Sequence, residues 1–552
     1  MEQANQQVES DRATGGPSER LSKRAAIWLA AILAVGLGLR LTYLLMVTSN
    51  PHFIWIDPDS YMEDARDLAG HGEGWQWTFD AVKHSVEGRD YALPPLYPVF
   101  LSLFALFPSF PFTAQVGQVL LATLAIAMVF ELGRQTHSVR AGLVAAAIYA
   151  LWLPNVIAVW STMQETLYIP LLLVAFVLLT RAVNREAGWR TFGASGVVFG
   201  LAALTRSMPV YFMLPASMLY VAMARDRKIA LGGLVVWLGG FALVTVPYSA
   251  ALSHNLGEPT FIENHGGLRI VSRYGDIPGH RPAGLVDTVG VLARAVLDSP
   301  GETLKEWTAT AKSIFHVNGG RLLQIYLAAA TYAGAVLWKL VVHLGADLLF
   351  IVSMILAPLG CVVARRWRIS VLFALWIVLN ITLTTLSGFG GARLRAPFEP
   401  HMIVLAGVIL AGQYQRRRSG WLGLSFVVAV VSVLTVLPQV PRSLEARADY
   451  GVNWTRPTRP KTTPIEGRVG FNLLPAKGLL SFVVRAPETE VQPADIDMKV
   501  RLNGRLADDT QLGGWRRRFI YEWPEPQVVF VELTATRPKG EEPVNLILRL
   551  GR

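Results

Sequence analysis

Between Trp55 and Ala69 the sequence WIDPDSYMEDARDLA places five carboxylates, Asp57, Asp59, Glu63, Asp64 and Asp67, soon after an apolar run of membrane-spanning length. Ionisable groups held beside hydrocarbon are costly, and they commonly mark substrate or proton sites. Asp57 followed by Pro58 has the form of a helix N-cap with proline at the first helical position. Asp59 then falls in the first turn, with Glu63 on the same face one turn on and Arg66 within reach of Glu63. Acids at a helix amino terminus are also favoured by the macrodipole, but one cap does not need five of them. The Asp-x-Asp spacing is also that of paired carboxylates holding a divalent cation on a phosphate. No His or Cys supplements the pair, so the expectation is a site that needs no cofactor, with a metal ion as the less favoured alternative.

Three further polar features interrupt apolar sequence: Glu165 in STMQETLYIPLLL, Arg206 in LAALTRSMPVYFMLP, and Arg393 with Arg395 in GARLRAPFEPHMIVLAG. An arginine in such a run needs a partner, and a guanidinium suits phosphate through paired hydrogen bonds. Ion pairing within the protein, for example with Glu399, or snorkelling would account for each arginine singly. Together with the acids they describe carboxylates to activate a hydroxyl, cations to hold a departing phosphate and a membrane to hold a lipid tail.

These residues must be positioned by membrane helices. The chain of 552 residues is 52% hydrophobic and 16% charged, and apolar runs of about 18 to 23 residues recur, each able to cross a roughly 30 Å hydrocarbon core. Spans are expected near 25–47, 112–131, 141–159, 165–181, 191–205, 209–224, 229–250, 343–363, 369–387, 397–413 and 420–438, about eleven in all. Residues 1–24 form a polar tail with Arg20, Lys23 and Arg24 before the first span, which reads as an anchor with a cytoplasmic amino terminus. Alternate loops carry Arg134 and Arg140; Arg181, Arg185 and Arg190; Arg225, Arg227 and Lys228; Arg365, Arg366 and Arg368; and Arg416, Arg417 and Arg418. The net charge of +11 thus reads as topology signal and not as a nucleic-acid surface. Loops 48–111 and 251–340 fall on the other side, as does 440–552, with Leu322–Leu340 taken as interfacial. LPPLYPVFLSLFALFP is too short and proline-rich for a span and reads as a bent interfacial piece, accompanied by Trp55, Trp75, Trp77, Tyr91 and Tyr97. The single cysteine, Cys361, allows neither a disulfide framework nor a thiolate zinc cluster.

Beyond residue 440, proline-rich punctuation gives way to short alternating runs, LLSFVVRA, MKVRLNGRL, RRFIYEW, QVVFVELTA and VNLILRL, with Asn503-Gly504 as a hairpin turn. A β-sandwich of roughly a hundred residues fits 440–552. Trp515, Tyr521 and Trp523 are expected as core or edge aromatics rather than sugar-stacking rings. Transporters often show two related halves, and no such internal repeat stands out here, which disfavours the rival reading of a lipid-linked sugar flippase or transporter.

DPDSYMEDARDLAGHGEGW, PPLYPVFLSLFALF, QETLYIPLLLVAFVLL, GLAALTRSMPVYFMLP, VPYSAALSHNLGEPTFIENHGG and ARLRAPFEPHMIVLAG follow one another in an order that resembles the GT-C class of polyprenyl-phosphate-sugar-dependent glycosyltransferases. The resemblance is to the bacterial protein-O-mannosyltransferase-like and lipid A aminoarabinose transferase-like branch, over about residues 25–435. Where the aminoarabinose branch has Glu-Lys before its double proline, Ala92 and Leu93 stand here, and the Trp-Trp-Asp-Tyr-Gly signature of asparagine-directed enzymes is absent. The resemblance implies a catalytic first-loop aspartate, best matched by Asp59 with Asp57 and Glu63 beside it. It also implies substrate and phosphate contacts at Arg66, Glu165, Arg206, Asn264, Arg393 and Arg395. The expected partners are a polyprenyl-phosphate-linked sugar donor, a glycan, glycolipid or protein acceptor, and the bilayer. The expected reaction, on the extracytoplasmic face of the inner membrane, inverts the anomeric carbon.

Overall fold

The computed structural model describes residues 21–48, 61–70, 83–86, 89–185, 188–257 other than 225, 259–263, 270, 285–315, 336–388 and 392–412, and strands between 468 and 550. The strands (Ala92 apart), Val47, Glu63, Arg185, residues 285–287 and 336–344, Ala392 and Arg393 are described by their backbone alone. The chain divides into two compact units, one holding the helices and the other the carboxyl-terminal strands.

The helical unit opens with α1 (Lys23–Thr48) and the short acidic helix α2 (Tyr61–Leu68). A two-stranded ribbon follows, β1 (Lys83–Val86) against β2 (Arg89–Ala92), leading into α3 (Leu96–Ala105). Next come α4 (Phe112–Thr136), α5 (Val139–Ala150), α6 (Leu153–Ala158), α7 (Glu165–Arg185), α8 (Trp189–Ala203), α9 (Met208–Met223) and α10 (Arg227–Leu256). Two loop helices, α11 (Leu285–Asp298) and α12 (Pro300–Ile314), precede α13 (Val336–Val363), α14 (Trp367–Leu386), a 3-10 turn at Ala392–Arg395 and α15 (Glu399–Leu410). Among the described residues six helices, α1, α4, α7, α10 and most of α13 and α14, are long and apolar enough to cross a membrane. The protein is therefore a multi-pass membrane protein.

Local chemistry fixes the boundaries. Ser138 caps α5 by accepting from the Ala141 amide at 3.2 Å, and Asp226 caps α10 by accepting from the Lys228 and Ile229 amides at 2.9 and 3.2 Å, which satisfies donors that a helix start leaves bare. Gly257, at φ +69°, ends α10 in the left-handed conformation that a side chain disfavours. Small residues let helices approach: a Cβ on Gly196 of α8 would collide with the Trp237 carbonyl of α10, and one on Gly360 of α13 with the Leu405 carbonyl of α15. At the centre, Phe176 of α7 packs edge-on against Phe199, Phe373, Trp376 and the buried His401.

Two expectations change. The run 141–159 does not form one helix: it breaks after Ala150, and Pro154 starts the second short helix α6, because proline suits a first turn and not an interior. Val336–Leu340 form the first turn and a half of α13, so the apolar pattern there continues into a spanning helix instead of forming a separate interfacial piece; 322–335 lie outside the described residues. The PPLYP segment becomes the ten-residue α3, about 15 Å long and half what a crossing needs. The last expected span, 420–438, is outside the described residues.

In the second unit β3 (Arg468–Leu473), β4 (Leu479–Arg485), β5 (Asp497–Leu502), β6 (Arg505–Gln511), β7 (Arg516–Glu522), β8 (Val529–Thr536) and β9 (Ile547–Leu550) make two antiparallel sheets, ordered β3-β8-β5-β6 and β7-β4-β9. Leu502 pairs with Arg505 across β5 and β6, the register a two-residue connection demands.

Candidate active site

In α2 the buried residues Tyr61, Ala65 and Leu68 recur at helical spacing and turn that face inward, while Arg66 and Asp67 are exposed. The same periodicity carries Asp64 inward, to 4% exposure. Asp57, Asp59 and Asn264 lie outside the described residues, as do Trp55, Trp75, Trp77, Trp515 and Trp523. Glu63 sits in α2 and Arg393 in the 3-10 turn, by their backbones. The Arg66 guanidinium lies 5.5 Å from the Phe110 ring centre.

Tyr61 meets Tyr97 edge-on, ring centres 5.0 Å apart, and so seats the acidic helix on the PPLYP segment. The Tyr97 hydroxyl donates to Gln118 Oε1 of α4 at 2.8 Å. Gln118 Nε2 donates in turn to the Val159 and Ser161 carbonyls at 3.0 and 3.2 Å, holding the turn before α7. Thr166 Oγ1 lies 2.8 Å from the same Gln118 oxygen, so the network ends at the first turn of α7, beside Glu165. The Leu96 amide donates to the Leu204 carbonyl at 2.9 Å, which ties the start of α3 to the end of α8, two residues before Arg206.

Glu165, buried, pairs with Arg206 Nη1 at 2.9 Å. The Arg206 side chain keeps 16% of its exposure, and among the described residues that single nitrogen carries its hydrogen bonding. Arg395 is different. Its Nε contacts Glu399 Oε1 at 2.6 Å, Nη1 donates to the Ile314 carbonyl at 3.3 Å, and the guanidinium sits 3.9 Å over the Phe350 ring, with the side chain 2% exposed. The Glu399 Oε2 atom accepts from Trp152 Nε1 at 2.7 Å. Arg395 therefore pins the end of loop helix α12 to the membrane bundle. Glu165 and Glu399 share the wall of one small cavity of about 50 Å³ with Tyr149, Asn155 and Thr166.

A residue the sequence reading passed over supports this wall from behind. Arg40, fully buried in α1, donates to the Asn155 side chain at 2.7 Å and the Ala150 carbonyl at 3.2 Å, while Asn155 donates to the Tyr149 hydroxyl at 2.8 Å. The signal was available: an arginine inside the apolar run GLGLRLTYLL needs a partner just as Arg206 does. Asp64 was legible too, from the position it shares with Tyr61 and Leu68 on one helical face. Among the described residues no three His, Cys, Asp or Glu gather as a metal site.

The carboxylate-arginine pair and the Tyr97 network both lie within residues 92–254, which match the family described as dolichyl-phosphate-mannose-protein mannosyltransferase. No curated protein sequence matches the chain. Among solved structures, ArnT from Cupriavidus metallidurans bound to undecaprenyl phosphate aligns at 15% identity and TM-score 0.43, over 77% of this chain and 73% of that one. The Archaeoglobus fulgidus oligosaccharyltransferase in its apo form aligns at 16% and 0.44, over 78% of this chain and 57% of its own length. Arabinosyltransferase EmbB from Mycobacterium smegmatis aligns at 12% and 0.32, over 99% and 66%. Residues 92–254, with Tyr97, Gln118, Glu165 and Arg206 in place, are accordingly the part of the chain that is similar to the dolichyl-phosphate-mannose-protein mannosyltransferase family.

Proposed function

We propose that the protein transfers a sugar, hexosyl or pentosyl, from a polyprenyl-phosphate carrier to an acceptor hydroxyl of a glycan, glycolipid or protein. The Asp59 carboxylate takes the hydroxyl proton, the acceptor oxygen attacks the anomeric carbon, and the bond to phosphate breaks with its electrons passing to the lipid phosphate. Attack opposite the leaving group inverts the anomeric carbon. General-base help of this kind is worth about 10² to 10⁴ in rate. Arg206, oriented by Glu165 and partly exposed, stabilises the charge that builds on the phosphate. Arg395, spent on Glu399, keeps Arg206 company only by holding the architecture; Arg393 and Asn264 are retained as substrate contacts. No divalent ion is required.

The observation that carries this reading is the link from the acidic helix through Tyr97 and Gln118 to the Glu165–Arg206 pair, of which Tyr97, Gln118, Glu165 and Arg206 lie inside the segment that matches the dolichyl-phosphate-mannose-protein mannosyltransferase family. The reading includes about eleven spans in the inner membrane with a cytoplasmic amino terminus, and a β-sandwich at 440–552 on the side of Asp59. The direct test is the purified full chain with radiolabelled polyprenyl-phosphate sugars and membrane extract as acceptor. Asp59→Asn is expected to abolish release of polyprenyl phosphate while lipid-donor binding persists; near-normal turnover by that variant would overturn the base assignment.

A further inference from the structure

At the other end of α7 lies a second charged cluster that the transfer reaction does not use. Glu131 of α4 accepts from Arg134 through Nε at 2.7 Å and Nη2 at 2.8 Å, and from Arg181 of α7 through Nη2 at 2.8 Å. The loop between α13 and α14 docks beside it. There the Arg366 amide donates to the Thr136 carbonyl at 3.1 Å and its Nη1 to the Gln135 carbonyl at 3.2 Å, which covers the negative carboxyl end of the α4 dipole. The Arg365 amide donates to His137 Nδ1 at 3.1 Å, and its side chain is exposed. We propose that Arg134, Arg181, Arg365 and Arg366 together hold the phosphate headgroup of an anionic glycerophospholipid.

Three observations carry this. The first is charge: Glu131 is shared by the guanidiniums of Arg134 and Arg181, and the Arg365–Arg366 turn docks on the neighbouring residues 135–137, so four arginines meet one carboxylate in this corner. Burial pushes Arg366 below its ordinary range, and the neighbouring charges of Arg365 and Arg134 add to the effect, a strain that an incoming phosphate would relieve. The second is depth. Glu165 and Arg181 stand at opposite ends of one helix, about 24 Å apart along its axis. The arginines therefore sit near headgroup level at one surface when the Glu165–Arg206 pair sits near the other. The third is the setting. Trp189, which opens α8 at this same end, is 65% exposed, with Arg190 lying 5.3 Å from its ring centre, the amphipathic pairing that anchors proteins at lipid headgroups. Helix ends and backbone bonds fix Arg134 and Arg366 beforehand, so little ordering remains to be done on binding.

The test uses the full chain in neutral detergent, offered phosphatidylglycerol or phosphatidylcholine and read by native mass spectrometry for retained lipid. Wild type is expected to retain phosphatidylglycerol in preference, and Arg181→Gln with Arg365→Gln to lose that preference by about fivefold per arginine. Arg365→Gln alone, changing an exposed side chain, gives the same reading with one step of loss should the double variant misfold. Equal retention of the two lipids by wild type would overturn the proposal, as would a full preference kept by Arg365→Gln. Displacement of phosphatidylglycerol by inorganic phosphate at matched concentration would also overturn it, since the site would then be one for free anions.

Discussion

Tyr97 and Gln118 meet through a single 2.8 Å hydrogen bond, and through it the first-loop sequence motif is fastened to a spanning helix. Tyr97 is otherwise enclosed, with Tyr61 edge-on and Phe100 stacked beside it. Removing only the hydroxyl leaves the packing and deletes the link. Tyr97→Phe is therefore expected to slow transfer by about tenfold, the lower end of the cost of stranding a buried acceptor, because Gln118 keeps Thr166. Steady-state release of polyprenyl phosphate measures it, with thermal unfolding as the control for stability; wild-type turnover would show that the link does not position the site.

Arg206 tests the leaving-group role separately from folding. Arg206→Gln leaves Glu165 buried without its cation, a loss of roughly 3–5 kcal/mol, so poor yield of that variant alone decides little. Glu165→Gln combined with Arg206→Gln removes both charges, and thermal stability should recover most of the loss while transfer stays suppressed. Recovery of turnover in the double variant would reduce Arg206 to a structural partner.

Close helix contact makes a graded prediction in α8 and α10. Gly196→Ala drives a methyl group into the Trp237 carbonyl, and since backbone must move, destabilisation of roughly 1–3 kcal/mol is expected. Gly239→Ala on α10, where a Cβ meets nothing within 4 Å, should leave the unfolding temperature unchanged or slightly raised. Matching behaviour of the two variants would contradict the packing described for this helix pair.

Metal dependence is expected to be absent. Transfer in excess chelator should match transfer in added magnesium or manganese, because arginine supplies the positive charge that a cation would bring to phosphate. Activity lost to chelator and restored by the metal would assign the Asp-x-Asp pair to a cation instead.

Sidedness is tested by labelling. Cys361 is the one cysteine of the chain, and Ser370 Oγ donates to its carbonyl at 2.8 Å while its thiol faces the Ser370 carbonyl at 3.4 Å; serine preserves both contacts, so Cys361→Ser gives a silent background. Ser481→Cys or Thr534→Cys should then react with an impermeant thiol reagent in spheroplasts. Reaction only after the membrane is broken would put the carboxyl-terminal unit in the cytoplasm and make the number of crossings even.

By itself the sequence determined the class of molecule, the positions of most long helices and the order of the motif segments, because spanning length, flanking charge and helix caps are local properties that composition and spacing record. Glu165 and Arg206 were also legible, each as an ionisable group that an apolar run could not leave alone. Only the tertiary structure decided who answers them. It gave Glu165 to Arg206 across a separation of 41 residues, turned Asp64 inward and brought the buried Arg40 to Asn155, whereas the pairing of Arg395 with Glu399, four residues apart, was legible in the sequence. It also broke the run after Ala150, where a hydropathy window averages over a proline whose effect is on backbone geometry. Partner choice among buried charges depends on which helix faces meet, and that is set by small-residue contacts such as Gly196 against Trp237 and Gly360 against Leu405, far apart in sequence and without any pattern that one helix could carry alone.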